Sequence, residues 1–373
     1  MKRPFFALLT LTLLLSASAL RATEVEASSP VVNVIQPEYF GWPALGGAFY
    51  NATGIHVGNE LFLYVQGGQY AVVGGPGPAC AGDKILFFRA PWTASGLVSP
   101  FAFSSRISPC TATNYHYGVG GVFKSGSQYF LTADRANWPD ANVFYEILLG
   151  SSPDGASWSW APFVKSTGVS SILDVTLVSS TVSVFYCDPT CNAHTAWWGF
   201  FRTGPCANCA DWVGRMKVDY STAYPRGFRV WILSGGIYKQ VNDTTGEFNF
   251  APDNVWPETD AGYAPNALVP TASGGYELWA TKSPAAGGCG CSFQGGSTLV
   301  YRTATDTTLG PLQGVYSAAR CMPSASSVGR LFPFVITGPT GQRLLYTSNN
   351  DKNCSNLASN PYQGMYIVAT QLQ

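Results

Sequence analysis

Charge is what this 373-residue chain has least of: 11% of its residues are charged, and 21 basic and 21 acidic side chains cancel. No basic run and no acidic tail appears, so no field exists to steer nucleic acid or an anionic membrane surface. Neither is expected as a partner. Histidine is scarcer still, with 3 in the chain and no His-Glu-x-x-His pair, which excludes a histidine-built metal site. No Gly-x-Ser-x-Gly and no phosphate-cradling glycine loop occurs, so neither acyl transfer nor nucleotide chemistry is indicated. No cofactor is expected. Beyond the first residues no apolar run approaches the ~20 residues of a membrane-spanning helix, and no helical period persists.

What is abundant points to strands and tight turns. The chain holds 40 Gly and 25 Pro, and 14% of it is aromatic. At the start, Lys2 and Arg3 precede an apolar run from Pro4 to Leu15 and the small residues of "SASALRA". That order reads as a secretory leader over 1–22, cleaved after Ala19 or Ala22. The run is too short for an anchor. The mature protein is therefore expected outside the cytoplasm, extracellular or periplasmic. All 10 cysteines follow the leader, and an even count in an exported chain reads as disulfides. Cys80 and Cys110 are candidates for one local bridge. "CDPTC" and "CANC" have the spacing of a zinc ribbon, but an oxidising compartment favours bridges over metal.

Apolar stretches of about five to eight residues recur in pairs, each pair closed by a polar turn. Six paired stretches run from "TGIHVGNELFLYVQGG" to "FPFVITGPTGQRLLYTSNND". Most are followed by a second strand-turn-strand phrase, such as "KILFFRAPWTASGLVSPFAF". Repeats of four-stranded modules predict an all-β protein, a single β-propeller over 30–373. The count favours six blades. Five is the alternative, if the short fourth unit, "GFRVWILSGGIYKQVND", elaborates the third. "VVNVIQ" near the start and "GMYIVATQLQ" at the end are expected to share the last blade, removing an open edge.

The most legible phrase is "SSPDGASWSW", residues 151–160, in which Asp154 and Gly155 form a turn and Trp158 packs on neighbouring strands. With the repeat, this phrase makes the chain resemble glycoside hydrolase propellers. Two groups are similar: six-bladed exo-sialidases and the five-bladed arabinanase, xylosidase and fructosidase group. The second resemblance implies carboxylates at the starts of the innermost strands, facing the central funnel. Asp174 in "ILDVTLV" is close to that group's Ile-Asp-Pro pattern, with Val175 in place of proline. Asn51, in "YNATGIHV", falls near the expected nucleophile or base, where an amide cannot take a proton. Glu258 and Asp260 in "WPETDAGYAPN" are the nearest carboxylates for an acid. No Phe-Arg-Ile-Pro opening supports the sialidases, although Arg226 and Arg229 are present.

Glycosidic hydrolysis generally uses two carboxyl groups across the scissile bond, about 5 Å apart for retention and ~6.5–9.5 Å for inversion. The catalytic candidates are therefore Asp174, Glu258 and Asp260. Asn51, Arg226, His116 at the funnel mouth and Trp198 are candidates for binding substrate. Trp197 and Trp198 face opposite sides of a strand, so one packs between blades and the other offers a sugar platform. The expected partner is a poly- or oligosaccharide or a glycoprotein. Hydrolysis and binding without cleavage both stand, and oligomeric state is left open.

Overall fold

The structure is a computed structural model that describes residues 31–35, 49–67, 83–93, 96–97, 101–109, 115–137, 146–168, 170–180, 195–204, 211–282, 298–316, 329–338, 341–350 and 366–372. All ten cysteines, and with them the disulfide expectation, lie outside these residues. Every described element is a strand, in five sheets arranged as the blades of a propeller. The innermost strands are Phe49–Val57, Tyr115–Ser125, Leu173–Ser180, Tyr263–Pro270 and Gly329–Thr337, of blades 1 to 5 in that order. Contacts between neighbours in that series close the ring.

Middle strands read as continuous apolar runs because each blade has another blade on both faces. Glu60–Gly67 buries every residue after the first. Four apolar clusters lie between blades rather than at one centre. The adjacent tryptophans of Thr195–Thr203 show why. Trp197 enters the cluster shared with blade 2, and Trp198 the cluster shared with blade 4.

The blade count is five, not six. The hairpin of Phe228–Ser234 and Ile237–Gln240 pairs with the outer edge of Trp212–Tyr220, with Met216 opposite Ile232 and Tyr220 opposite Phe228. The fourth repeat unit thus extends blade 3 outward. In the same blade Leu173–Ser180 pairs with Thr195–Thr203, and the stretch "TVSVFYCD" lies outside the described residues. The ring closes as expected: Val31–Ile35 pairs with Tyr366–Leu372 in blade 5.

The turn at Asp154 does more than reverse the chain. Asp154 Oδ1 accepts the backbone N–H groups of Ala156 and Ser157, both at 2.8 Å. Those two donors hold its carboxyl down at about 2. Gly155, at φ 74°, then presents its carbonyl to the Tyr64 hydroxyl of blade 1 at 2.6 Å. Trp158 meets Tyr64 edge-on. The phrase locks blade 2 to blade 1.

Candidate functional site at the bulge ring

Every innermost strand carries one residue more than its partner at the same level. The extra residues fall at Asn51, at Gly120 and Gly121, at Asp174 and Val175, at Asn266, and at Phe332 and Pro333. Such bulges re-aim side chains and leave an N–H outside the ladder. Asn51, Asp174 and Phe332 have φ of 50°, 48° and 51°. Asn and Asp tolerate that conformation better than other side chains, whereas for Phe it is strained.

The displaced N–H groups are met by the preceding blade. Asn51 donates to Ser348 Oγ at 3.0 Å, Asp174 to Asp134 Oδ1 at 3.0 Å, and Phe332 to Thr281 Oγ1 at 3.1 Å. Ser348, Asp134 and Thr281 each end a Leu-x-x-polar phrase in a second strand: "LYTS", "LTAD" and "LWAT". Gln66, in "LYVQ", occupies the same place in blade 1. Asp134 therefore supports the site by accepting the Asp174 N–H.

Asp174 and Asn51 meet at the axis. Asn51 Nδ2 donates to Val119 O at 2.6 Å and to Asp174 Oδ1 at 3.4 Å. Asp174 Oδ2 lies 3.5 Å from Arg202 Nη1, and Arg202 Nε lies 2.7 Å from Asp211 Oδ1. Asp174 is 5% exposed and Asp134 3% exposed, while Arg202 and Asp211 are partly open to solvent. Burial, reinforced by Asp211, raises the Asp174 carboxyl to about 6 against the pull of Arg202 and Asn51. Burial and the neighbouring Asp174 raise Asp134 well above its ordinary 3.8.

These shifts give a test. A carboxyl raised in the folded state stabilises the fold below its unfolded value and loses that contribution as pH rises through the folded value. Asp134→Asn keeps an oxygen for the Asp174 N–H but cannot ionise. Its stability relative to the native chain should rise between pH 4 and 8, by up to about 1.4 kcal/mol per pH unit. His56, lowered by burial, contributes with the opposite sign below pH 6.5, but equally in both proteins. Urea titrations at pH 4.5, 6 and 7.5 decide it; parallel pH profiles would sink it.

The other sequence candidates sit elsewhere. Glu258 takes a hydrogen bond from Arg302, whose guanidinium lies over Trp256. Asp260 pairs with Lys282 at 2.6 Å and accepts from the Tyr263 hydroxyl at 2.7 Å. Both belong to a loop wedged between blades 3 and 4, where Trp256 enters the core. Just after this loop, the Tyr263 N–H reaches the Asp211 carbonyl. His116 is buried, with Nδ1 accepting the Asp83 N–H at 3.2 Å. Trp198 is 2% exposed and packs edge-on against Phe200 and Tyr276, so core packing replaces the expected sugar platform. Arg226 spends its guanidinium on the carbonyls of Phe163, Asp243 and Asn242, clamping blade 3 to blade 2.

Arg202 and Asp211 were not singled out by sequence, since nothing in "GFFRTG" or "CADWV" marks a funnel residue.

No family model and no curated protein matches this chain. Solved structures do match in fold. A structure described as a glycoside hydrolase overlays with a TM-score of 0.54 at 8% identity, over 92% of both proteins. An α-L-arabinanase from Cellvibrio cellulosa, complexed with arabinohexaose, is similar at a TM-score of 0.48 and 11% identity, over 87% of this chain and 92% of that one. An exo-1,5-α-L-arabinanase from a bovine ruminal metagenomic library is similar at a TM-score of 0.47 and 10% identity, over 87% of this chain and 93% of that one. The protein is a five-bladed β-propeller of the architecture seen in glycoside hydrolases.

Proposed function

We propose that this chain is an exported, glycan-directed propeller that holds an oligosaccharide at its polar mouth without cleaving it. One observation carries the reading: at the bulge ring Asp174 stands beside the Asn51 amide, 3.4 Å away, as the lone carboxylate among the bulge residues. A carboxylate backed by Arg202 and Asp211 offers acceptors and donors to sugar hydroxyls. Hydrolysis needs a second carboxyl aimed into the same space. Asn51 cannot take or give a catalytic proton, Asp134 is turned to the Asp174 backbone, and Glu258 and Asp260 are engaged between blades. Export rests on the leader over 1–22, and the cysteines are read as disulfides of the mature protein.

Affinity electrophoresis of the mature protein through arabinan, xylan and other polysaccharides, with calorimetry on arabinohexaose, tests this. Retardation without release of reducing sugar is expected, with affinity at least tenfold weaker in Asp174→Asn. That variant suits φ 48° as well as the native residue does. Reducing-sugar release that disappears in Asp174→Asn would transfer the protein to the hydrolases. Absence of binding across the polysaccharides would overturn the reading.

A further inference from the structure

Below the bulge ring the channel changes character. A cavity of about 530 Å³ is lined by all five innermost strands, and each inner-strand residue on its wall lies at or beyond the bulge of its strand. It therefore lies on the face opposite the Asp174 mouth. At this level neighbouring inner strands are tied to one another around the ring: Asn51 Nδ2 donates to Val119 O, the Val122 N–H to Thr53 Oγ1 at 3.4 Å, and the Leu268 N–H to Thr176 Oγ1 at 3.0 Å.

The walls are mainly apolar, with Ile55, Val122, Val178, Leu268, Phe334 and Ile336 among them. Nearest the bulges, the Thr53 and Thr176 hydroxyls each accept a backbone N–H. Among the described residues the lining holds no carboxylate, and its one side chain with a permanent charge is Lys124, exposed and 5.1 Å from the Tyr129 ring. The cavity falls within the ~300–1,000 Å³ usual for small-molecule sites, which are mostly apolar with a few placed polar groups.

We propose that this half of the channel is a second binding site, for a small amphiphilic anion. An acyl or aryl chain fills the apolar cavity, and its carboxylate pairs with Lys124. Apolar walls supply affinity by removing the ligand's hydrocarbon from water. The cation at the rim selects an anionic head over a neutral or cationic one. The site is independent of the glycan reading, because neither Asp174, Arg202 nor Asp211 lines its walls.

Calorimetric titration of the full-length protein with hexanoate, octanoate, decanoate and octanol tests it. Affinity is expected to rise about three- to fourfold for each methylene added between hexanoate and decanoate. Val122→Trp, which fills the cavity, should weaken octanoate at least tenfold. Lys124→Gln, at an exposed position, should weaken octanoate about fivefold or more and leave octanol within twofold. A flat chain-length series, or full octanoate affinity in folded Val122→Trp, would overturn the site. If Val122→Trp fails to fold, Lys124→Gln decides alone, and equal effects on octanoate and octanol, or none on either, would be fatal.

Discussion

Gly199→Ala should unfold blade 3 around the site, at a cost of about 3 kcal/mol or more, among the larger effects of a single methyl group. Gly199 lies opposite Leu177, just past the bulge that carries Asp174. A Cβ there would sit inside the carbonyl oxygen of Thr176 and 2.9 Å from Leu177 Cα. Both obstacles are backbone, so no rotamer change relieves the clash. The strands must part, and Thr176 also accepts the Leu268 N–H of blade 4 at 3.0 Å. The substitution thus damages one blade and its bond to the next. The measurement is urea unfolding followed by tryptophan fluorescence. A midpoint within 0.2 M of the native protein would show that the close approach of the two strands is not what requires glycine.

Trp197→Ala should cost about 3–5 kcal/mol, the range for deleting a large aromatic from a packed core. Its ring is fully buried, stacked on Tyr220 at 5.0 Å and set against Phe123 at 5.0 Å and Phe130 at 4.6 Å. Its Nε1 donates to Ser125 Oγ at 3.0 Å, and Ser125 in turn meets Ser179 Oγ at 3.0 Å. The indole therefore joins blades 2 and 3 by packing and by a hydrogen bond. Trp197→Phe separates the two contributions. It keeps much of the ring area and leaves the serines without that donor, for an expected loss of about 1–3 kcal/mol. If Trp197→Phe and Trp197→Ala lose equal stability, packing is not the larger part.

Much of the propeller was legible in the sequence because blade strands are sandwiched on both faces. Their apolar residues then run continuously, and turn residues mark each reversal. The closing pair of Val31–Ile35 and Tyr366–Leu372 could be foreseen, since a ring leaves no other partner for strands at both ends. The count could not. Phe228–Gln240 has the grammar of an inner hairpin, and nothing local says that it will pair with the free edge of Trp212–Tyr220. Edge pairing is a choice between surfaces far apart in sequence.

The site divides along the same line. Asp174 and Asn51 were identifiable because each lies at the start of an inner hairpin, where a bulge aims it inward. Asp134 is 40 residues from the N–H that it receives, and Arg202 reaches Asp174 only because Leu173 falls opposite it in register. The one usable signal was the recurrent Leu-x-x-polar ending of the second strands, "LYVQ", "LTAD", "LWAT" and "LYTS", whose last residue ties three of the five bulges to the preceding blade.

By itself, then, the sequence determined an all-β ring of strand pairs and the places where its axis would carry polar side chains, because strand period, turn chemistry and closure are local or obligatory. The tertiary structure decided five blades over six, sent Trp198 into the core, and left Asp174 beside an amide. It also put a buried polar cluster at the bulge ring and an apolar cavity beyond it. Each outcome depends on which edges and faces meet across the ring, and a sequence read residue by residue carries no measure of that.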